Sequence, residues 1–322
     1  MSLATRHTRR QADVDNTGRR TYTLNTGAKI PAVGLGTWQS PPDQVQTAVE
    51  AALRHGYRHI DTAAAYKNEK QVGAGIKASG VARSDLWLTT KLDNPDQTRA
   101  AAALDESLAN LGTDYVDLYL MHWPAATVPG DGTKLVPGWS FVDTWREMQK
   151  LVTTGKARNI GVSNFGIANL ETLLADESCK NPMSLLAADA GGQIVPAVNQ
   201  IELHPCNPSP KLVAYNTSKG IHTTGYSCLG STNSPLYTNP TLLAVAQAKR
   251  RTPQQVLLAW GLQKGWSVIP KSVTPSRIEA NFALDGWSLT DDEVKSLDGI
   301  QERFKVCGDA WLPAKVFFGD DE

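Results

Sequence analysis

At 322 residues, with 41% hydrophobic and 20% charged residues, the chain is long enough for two average domains or for one large α/β barrel. Its 32 basic residues equal its 32 acidic ones, and this balance disfavours nucleic acid or an anionic membrane surface as a general partner. No apolar run reaches the roughly 18 residues that a transmembrane helix requires.

The first twenty residues carry five arginines and two aspartates and lack the apolar centre of a secretory signal. We predict a flexible polar tail over 1–20, a single folded domain over 21–322 and a cytosolic location; an organellar transit peptide is the alternative, which the interspersed acids disfavour. The four cysteines are scattered without metal-finger spacing, so we expect free thiols and no metal site.

Folded structure is predicted to begin with a small hairpin, in which Asn25 to Gly27 form the turn between 22–24 and 28–30. Eight β-rich runs follow, at 32–37, 59–63, 86–91, 116–122, 159–164, 198–202, 222–227 and 267–271. Helical patterns lie between and after them, at 42–54, 68–78, 97–111, 141–153, 167–174, 210–218, 253–264 and 276–283.

Eight strands, each followed by a helix, are typical of a closed parallel (β/α)8 TIM barrel. A doubly wound open sheet is the alternative, but it usually carries a GxGxxG motif after its first strand. Here the first strand reads Gly34, Leu35, Gly36, with no third glycine at that spacing. Segments 124–140 and 301–322 are too long for simple connections, and we expect the aromatic residues of the second to form part of a substrate pocket.

Ionisable side chains fall at consecutive strand ends, where barrel enzymes place their reactive groups. Asp61 ends the second strand, Tyr66 follows it, Lys91 ends the third strand and His122 ends the fourth. Each has a purely structural interpretation: a helix cap, a packed aromatic, a surface cation and a core histidine. Their joint occurrence at successive strand ends favours an active site.

Five runs in this order resemble the signatures of the aldo-keto reductase superfamily. They are 56–66 (GYRHIDTAAAY), 89–91 (TTK), 121–124 (MHWP), 161–165 (GVSNF) and 269–272 (IPKS). The resemblance extends from about Thr21 to the C-terminus. Within the superfamily the chain resembles fungal NADP-dependent glycerol dehydrogenases and glyceraldehyde or sugar-aldehyde reductases, partly through its tail at 309–313 and 319–322.

The resemblance implies a catalytic tetrad of Asp61, Tyr66, Lys91 and His122. A carbonyl oxygen that gains negative charge needs a positioned acid, and Tyr66 would supply the proton. A neighbouring ammonium at Lys91 is expected to lower the tyrosine pKa, while Asp61 holds the lysine in place. His122 would orient the carbonyl oxygen by a hydrogen bond.

The resemblance also implies an NADPH/NADP+ site. Ser163, Asn164 and Gln200 are expected on the nicotinamide carboxamide, and the Tyr226 ring beneath it. Lys271, Ser272 and Arg277 suit a 2′-phosphate, which favours NADPH over NADH. The remaining cofactor residues implied are Thr37, Trp38, Ser227, Leu229, Ser231, Val273 and Asn281.

Substrate contacts are expected from aromatic and catalytic side chains on the same face. These are Trp38, Tyr66, His122, Trp123, Trp139 and Trp311. The chain departs from the family pattern where Ala280 precedes Asn281, since many members carry glutamate there, and where Gln39 and Asn233 stand at positions from which some reductases close a charged clasp over the cofactor. We therefore predict a looser clasp and faster NADP+ release.

The function predicted is NADPH-dependent reduction of small aldehydes and ketones to alcohols, and the reverse oxidation of glycerol-like polyols, by a monomer. A catalytically silent barrel that binds cofactor as a regulatory subunit is the alternative. A metal-dependent barrel hydrolase would need clustered ligands, which the six histidines do not provide.

Overall fold

Eight parallel strands form the central sheet of the computed structural model, which describes residues 19–180 and 195–317. The predicted tail, except Arg19 and Arg20, and the motif at 319–322 lie outside the described residues. In chain order the sheet strands are β3 (Leu35–Gly36), β4 (His59–Asp61), β5 (Trp87–Leu92), β6 (Leu118–Met121), β9 (Ile160–Ser163), β10 (Val198–Glu202), β11 (His222–Tyr226) and β12 (Ser267–Val268). Each pairs in parallel with the next along the sheet.

Two antiparallel hairpins accompany the sheet, β1 (Thr21–Thr23) with β2 (Lys29–Pro31), and β7 (Thr127–Val128) with β8 (Asp131–Leu135). The first hairpin was predicted, and its turn has Gly27 at φ 83°. Its Leu24 and Ile30 pack on Leu118 and Val198, the first residues of β6 and β10. The hairpin therefore covers the amino ends of the strands, on the side opposite the predicted site.

The helices of the described residues are α1 (Pro42–Arg54), α2 (Glu69–Ser79), α3 (Ala100–Leu111), α4 (Phe141–Thr153), α5 (Ile167–Ala175), α6 (Glu177–Lys180), α7 (Pro210–Ser218), α8 (Pro240–Lys249), α9 (Pro253–Gln263), α10 (Pro275–Phe282) and α11 (Asp291–Asp298). They bury one face against the sheet; in α1 that face is Val45, Ala48, Val49, Ala52 and Leu53. Within residues 19–180 and 195–317 no helix is long and apolar enough to cross a membrane.

The first and last strands approach each other closely. Parallel bridges join Val33 to Val268 and Gly36 to Lys271, with Gly36 N donating to Pro270 O at 3.1 Å. A Cβ at Gly36 would lie 2.8 Å from the carbonyl oxygen of Ile269, so only glycine fits this approach.

Most predicted elements are confirmed, and four match end to end: α1, α4, α7 and β10. The last strand is shorter than predicted, because Pro270 lacks the N–H that would continue the ladder. The sequence prediction missed the short α6, together with α8 and α11. The helices α8 and α11 carry side-chain caps that could have indicated them, Asn239 before α8 and the Thr290–Glu293 capping box of α11. The 124–140 segment contains the β7–β8 hairpin, which was also not predicted.

Candidate active site

The four predicted catalytic side chains meet at the carboxyl ends of β4, β5 and β6. Asp61 is the last residue of β4, Lys91 lies in β5, and His122 follows β6. Tyr66 ends a short 3-10 turn (Ala64–Tyr66) that brings it back towards the strand ends. The Tyr66 and His122 ring centroids are 5.7 Å apart in an edge-to-face arrangement.

Lys91 is fully buried and has three oxygen partners. Its Nζ lies 2.5 Å from Asp61 Oδ1, 2.9 Å from the Thr62 carbonyl oxygen and 3.4 Å from the Tyr66 hydroxyl oxygen. An ammonium has three protons, so each can be donated to one of these oxygens. Because Tyr66 accepts from Lys91, its own proton is free to point elsewhere.

The pKa of Tyr66 differs from the sequence expectation. We expected Lys91 to lower it, but burial raises it well above 10 and the Asp61 carboxylate raises it further. Burial also lowers the pKa of Lys91, although the contact with Asp61 opposes that shift. Desolvation and the nearby carboxylate thus outweigh the cation, and Tyr66 holds its proton at neutral pH.

His122 is uncharged at neutral pH. Burial, followed by the charge of Lys91, lowers its pKa to about 3. A neutral imidazole carries one N–H donor and one acceptor, so His122 can hydrogen-bond an oxygen without competing with Tyr66 as the acid.

A buried asparagine supports the turn that carries Tyr66. Asn68 directly precedes α2, which begins at Glu69, but its side chain makes no capping bond. Its Nδ2 instead donates to the carbonyl oxygens of Thr37 and Ser40, at 3.0 and 3.3 Å. Asn68 therefore connects the loop after β3 to the loop after β4.

The predicted carboxamide residues form one hydrogen-bonded chain. Gln200 Nε2 donates to Asp61 Oδ2 at 2.7 Å, and Ser163 Oγ donates to the Gln200 carbonyl oxygen at 2.8 Å. Tyr226 donates to Asn164 Oδ1 at 2.6 Å, and Asn164 Nδ2 donates to the His122 carbonyl oxygen at 3.0 Å. These hydrogen bonds connect the tetrad to β9, β10 and β11.

A pocket of about 1010 Å³ opens above these side chains. Asp61, Tyr66 and His122 line it, as does every predicted cofactor residue: Thr37, Trp38, Ser163, Asn164, Gln200, Tyr226, Ser227, Leu229, Ser231, Lys271, Ser272, Val273, Arg277 and Asn281. Of the predicted substrate tryptophans, Trp38, Trp123 and Trp311 line it. Trp139 is not among the lining residues, because its Nε1 donates to Thr144 Oγ1 at 2.9 Å beside α4.

Two exposed cations, Lys271 and Arg277, line one end of this pocket. Neither forms an ion pair with another residue in the described parts of the chain. Ser227, Gly230 and Ser231, in the segment that follows β11, each have a positive φ. This backbone arrangement can turn N–H groups towards an anion. Gln39 and Asn233 both line the pocket and are exposed, and no hydrogen bond joins them in the described residues.

All four cysteines are free, as predicted. Cys228 and Cys307 line the pocket, and burial raises their pKa to about 12 and about 11, so both remain thiols at neutral pH. Within the described residues, no three metal-ligating side chains form a cluster.

The sequence prediction missed the carboxylate that holds the C-terminal segment over the pocket. Glu202 is fully buried and accepts from Val306 N at 2.6 Å and Cys307 N at 2.7 Å. His204, two residues further on, lies 2.9 Å from the same carboxylate and stacks on Phe304. Glu202 and His204 stand two positions apart at the end of β10, and such residues lie on the same side of a strand. This spacing could have indicated the contact between them.

The rim of the pocket, formed by Trp123 and the segment 304–317, is aromatic. The Trp123 ring meets Trp311 edge-to-face at 5.4 Å and Phe317 at 6.0 Å. Asp309 Oδ2 accepts from the backbone N–H groups of Val316 and Phe317, which folds the segment back on itself. Trp311 remains 58% exposed, so this part of the rim is accessible to a ligand.

The model of the Aldo/keto reductase family matches residues 32–302. The chain belongs to the aldo/keto reductase family. It is therefore an oxidoreductase, and the family resemblance read from the five sequence runs is confirmed.

Three relatives are similar to this chain over most of its length. Glycerol 2-dehydrogenase (NADP(+)) of Saccharomyces cerevisiae is 42% identical, over 91% of this chain and 96% of its own length. D/L-glyceraldehyde reductase of Hypocrea jecorina is 42% identical over 88% of each chain, and D-galacturonate reductase of the same organism is 41% identical over 86% of this chain and 89% of its own. The solved Bombyx mori aldo-keto reductase in complex with NADP has a TM-score of 0.77 and 38% identity, over 87% of this chain and 92% of its own.

Proposed function

We propose that this reductase uses NADPH to reduce small aldehydes, of the glyceraldehyde or sugar-aldehyde kind, and oxidises glycerol-like polyols in reverse, with Tyr66 as the general acid and base. The observation that carries the proposal is the contact of Tyr66 with a buried Lys91–Asp61 pair at the floor of a large pocket. A cofactor-binding barrel without catalysis would have no use for this arrangement.

The pocket residues fit NADPH. Lys271 and Arg277 supply positive charge for a 2′-phosphate, and Arg277 suits its geometry. The segment 227–231, with its positive φ angles, suits the pyrophosphate. Tyr226 is fixed by Asn164 and can present a ring face to the nicotinamide, while Ser163, Asn164 and Gln200 would hold the carboxamide.

NADPH, when bound, supplies a hydride for the carbonyl carbon. Tyr66 donates its proton to the carbonyl oxygen, which becomes the alcohol hydroxyl. Lys91 stabilises the phenolate that remains, because its ammonium lies 3.4 Å from the phenol oxygen. Asp61 keeps Lys91 charged and in position, and neutral His122 donates a hydrogen bond that orients the carbonyl oxygen. In the reverse direction the Tyr66 phenolate accepts the alcohol proton.

The proposal is tested by mixing the protein with glyceraldehyde and either NADPH or NADH, and following cofactor absorbance. We expect NADPH to be consumed and to be preferred over NADH. In an Arg277→Met variant we expect the KM for NADPH to rise about tenfold or more, because a charge-assisted contact to the 2′-phosphate is lost, while the KM for NADH stays unchanged. No oxidation of NADPH with any small aldehyde would refute the proposal.

We further propose that residues 21–322 form one closed eight-stranded barrel domain that acts as a cytosolic monomer. The bridges between Val33 and Val268 and between Gly36 and Lys271 support closure, since they join the two edges of the sheet. Gel filtration at working concentration tests the monomer, and a mass of two chains would contradict it.

A further inference from the structure

A second groove continues from the main pocket on the side of the aromatic rim. It measures about 390 Å³ and lies between the residues after β5 and the β7–β8 hairpin. Asp93 and Trp311 line both spaces, and Asn94, Thr127 and Thr133 line the groove alone. A substrate held by its carbonyl end near Tyr66 could therefore extend past Asp93 into this groove.

The Asp93 carboxylate is only partly partnered. Its Oδ1 accepts from Asn94 N at 2.9 Å, which caps the turn Asn94–Arg99. Among the described residues its Oδ2 receives no hydrogen bond, and its ion-pair partner is Lys67 Nζ at 3.8 Å. Lys67 is 77% exposed while Asp93 is 19% exposed, so solvent screens the cation more than the carboxylate.

Asp93 is the carboxylate that lines the pocket at the end next to the aromatic rim. Among the described residues, the aspartate, lysine and arginine side chains that line the pocket are Asp61, Asp93, Lys271 and Arg277. Asp61 is paired with Lys91, and the two cations follow β12 and lie in α10. Next to the aromatic rim, Asp93 is therefore the charged side chain that lines the pocket; Lys67 is its exposed partner, and the Lys305 ammonium lies over the Phe317 ring of the rim.

We propose that Asp93 restricts this enzyme to neutral polyhydroxy aldehydes and polyols and excludes uronic acids. This inference rests on the proposed function and names its substrate class. Substrate hydroxyl groups can donate to the open Oδ2, a charge-assisted hydrogen bond. A uronate carboxylate in the same groove would place two negative charges near each other in a half-buried space, where water screens them poorly.

Sequence identity does not distinguish a neutral aldehyde from a uronate as the substrate. The glyceraldehyde and galacturonate reductases are 42% and 41% identical to this chain. Burial already raises the pKa of Asp93, so its charge is held at some cost and a second carboxylate nearby would add to that cost.

The experiment compares D-galacturonate with D-galacturonamide, which has almost the same shape without the charge. For the wild type we expect kcat/KM to favour the amide about tenfold or more. In Asp93→Asn, which keeps an oxygen to cap the turn, the preference should fall to within about threefold, mainly through a lower KM for galacturonate. In Lys67→Gln, which removes the compensating cation from an exposed position, the preference should increase.

Asp96→Asn is the matched control. It removes the same charge from the same turn, but Asp96 pairs with Arg99 and does not line either space, so the preference should not change. Equal use of galacturonate and its amide by the wild type, or an unchanged preference in both Asp93→Asn and Lys67→Gln, would overturn the inference. If glyceraldehyde is reduced in that same assay, the proposed function survives that result; if no aldehyde consumes NADPH, the proposed function itself fails.

Discussion

The floor and the rim of the pocket are built in opposite ways. At the floor, Lys91 and Asp61 are almost inaccessible, and each oxygen and proton of the pair has a partner. At the rim, Trp311 is more than half exposed and the C-terminal segment is held through a few backbone contacts to Glu202. We infer that the floor holds its side chains rigidly, whereas the exposed rim can vary in sequence without disturbing them.

The largest effect is expected at the floor, from Lys91→Met. Activity should fall about a thousandfold or more, because the phenolate loses its cation. The free energy of unfolding should also fall by about 3–5 kcal/mol, because Asp61 is left buried without its partner charge. Kinetics and urea unfolding measure the two effects.

A double variant, Asp61→Leu with Lys91→Met, separates structure from catalysis at this site. Stability should recover in part, since no lone charge is buried, while activity stays lost. Recovered activity in the double variant would contradict the role given to Lys91.

Acid should destabilise the fold through its buried histidines. Burial lowers the pKa of His59 to about 4, of His122 to about 3 and of His222 to about 4. Below about pH 6.5 the unfolded chain binds protons that these folded rings do not, so the free energy of unfolding falls as pH decreases from about 6.5 towards about 4.

At about pH 5, each of these histidines lowers the free energy of unfolding by up to about 2 kcal/mol. Urea unfolding at several pH values measures the slope, and His222→Gln should flatten it. A stability that is constant over this pH range would contradict the burial of these rings.

At the junction of the two regions, Glu202→Gln should loosen the rim and spare the floor. The side chain keeps one acceptor for two backbone donors, and an unsatisfied buried group costs about 1–3 kcal/mol. We expect the KM for aldehyde to rise about tenfold, with kcat little changed, and faster proteolysis of the 303–317 segment. The exposed change Glu106→Gln serves as control, and an equal effect there would remove the anchoring role of Glu202.

The smallest effect is expected at Trp311→Ala, on the exposed rim. Because the ring is 58% exposed, the free energy of unfolding should change by less than about 0.5 kcal/mol. The KM for aldehyde should rise about threefold through loss of apolar contact. Trp139→Phe, which alters a tryptophan that does not line the pocket, should leave KM unchanged; a KM change there as large as in Trp311→Ala would show that Trp139 contacts substrate.

The contrast between floor and rim also explains which features could be predicted from the sequence. The strand ends and their ionisable residues were predictable, because period-2 runs and helix caps are local signals and Asp61, Lys91 and His122 stand at strand ends. The direction of the Tyr66 pKa shift could not be predicted, because burial depends on residues far away in the chain. The hydrogen bond that Val306 N donates to Glu202 could not be predicted either, because it joins residues 104 positions apart.

The account depends most on the proton carried by Tyr66. In Tyr66→Phe, turnover of glyceraldehyde with NADPH should disappear, while NADPH binding, measured by quenching of tryptophan fluorescence, should stay within about twofold of the wild type. Normal turnover in this variant would contradict the assignment of Tyr66 as the acid.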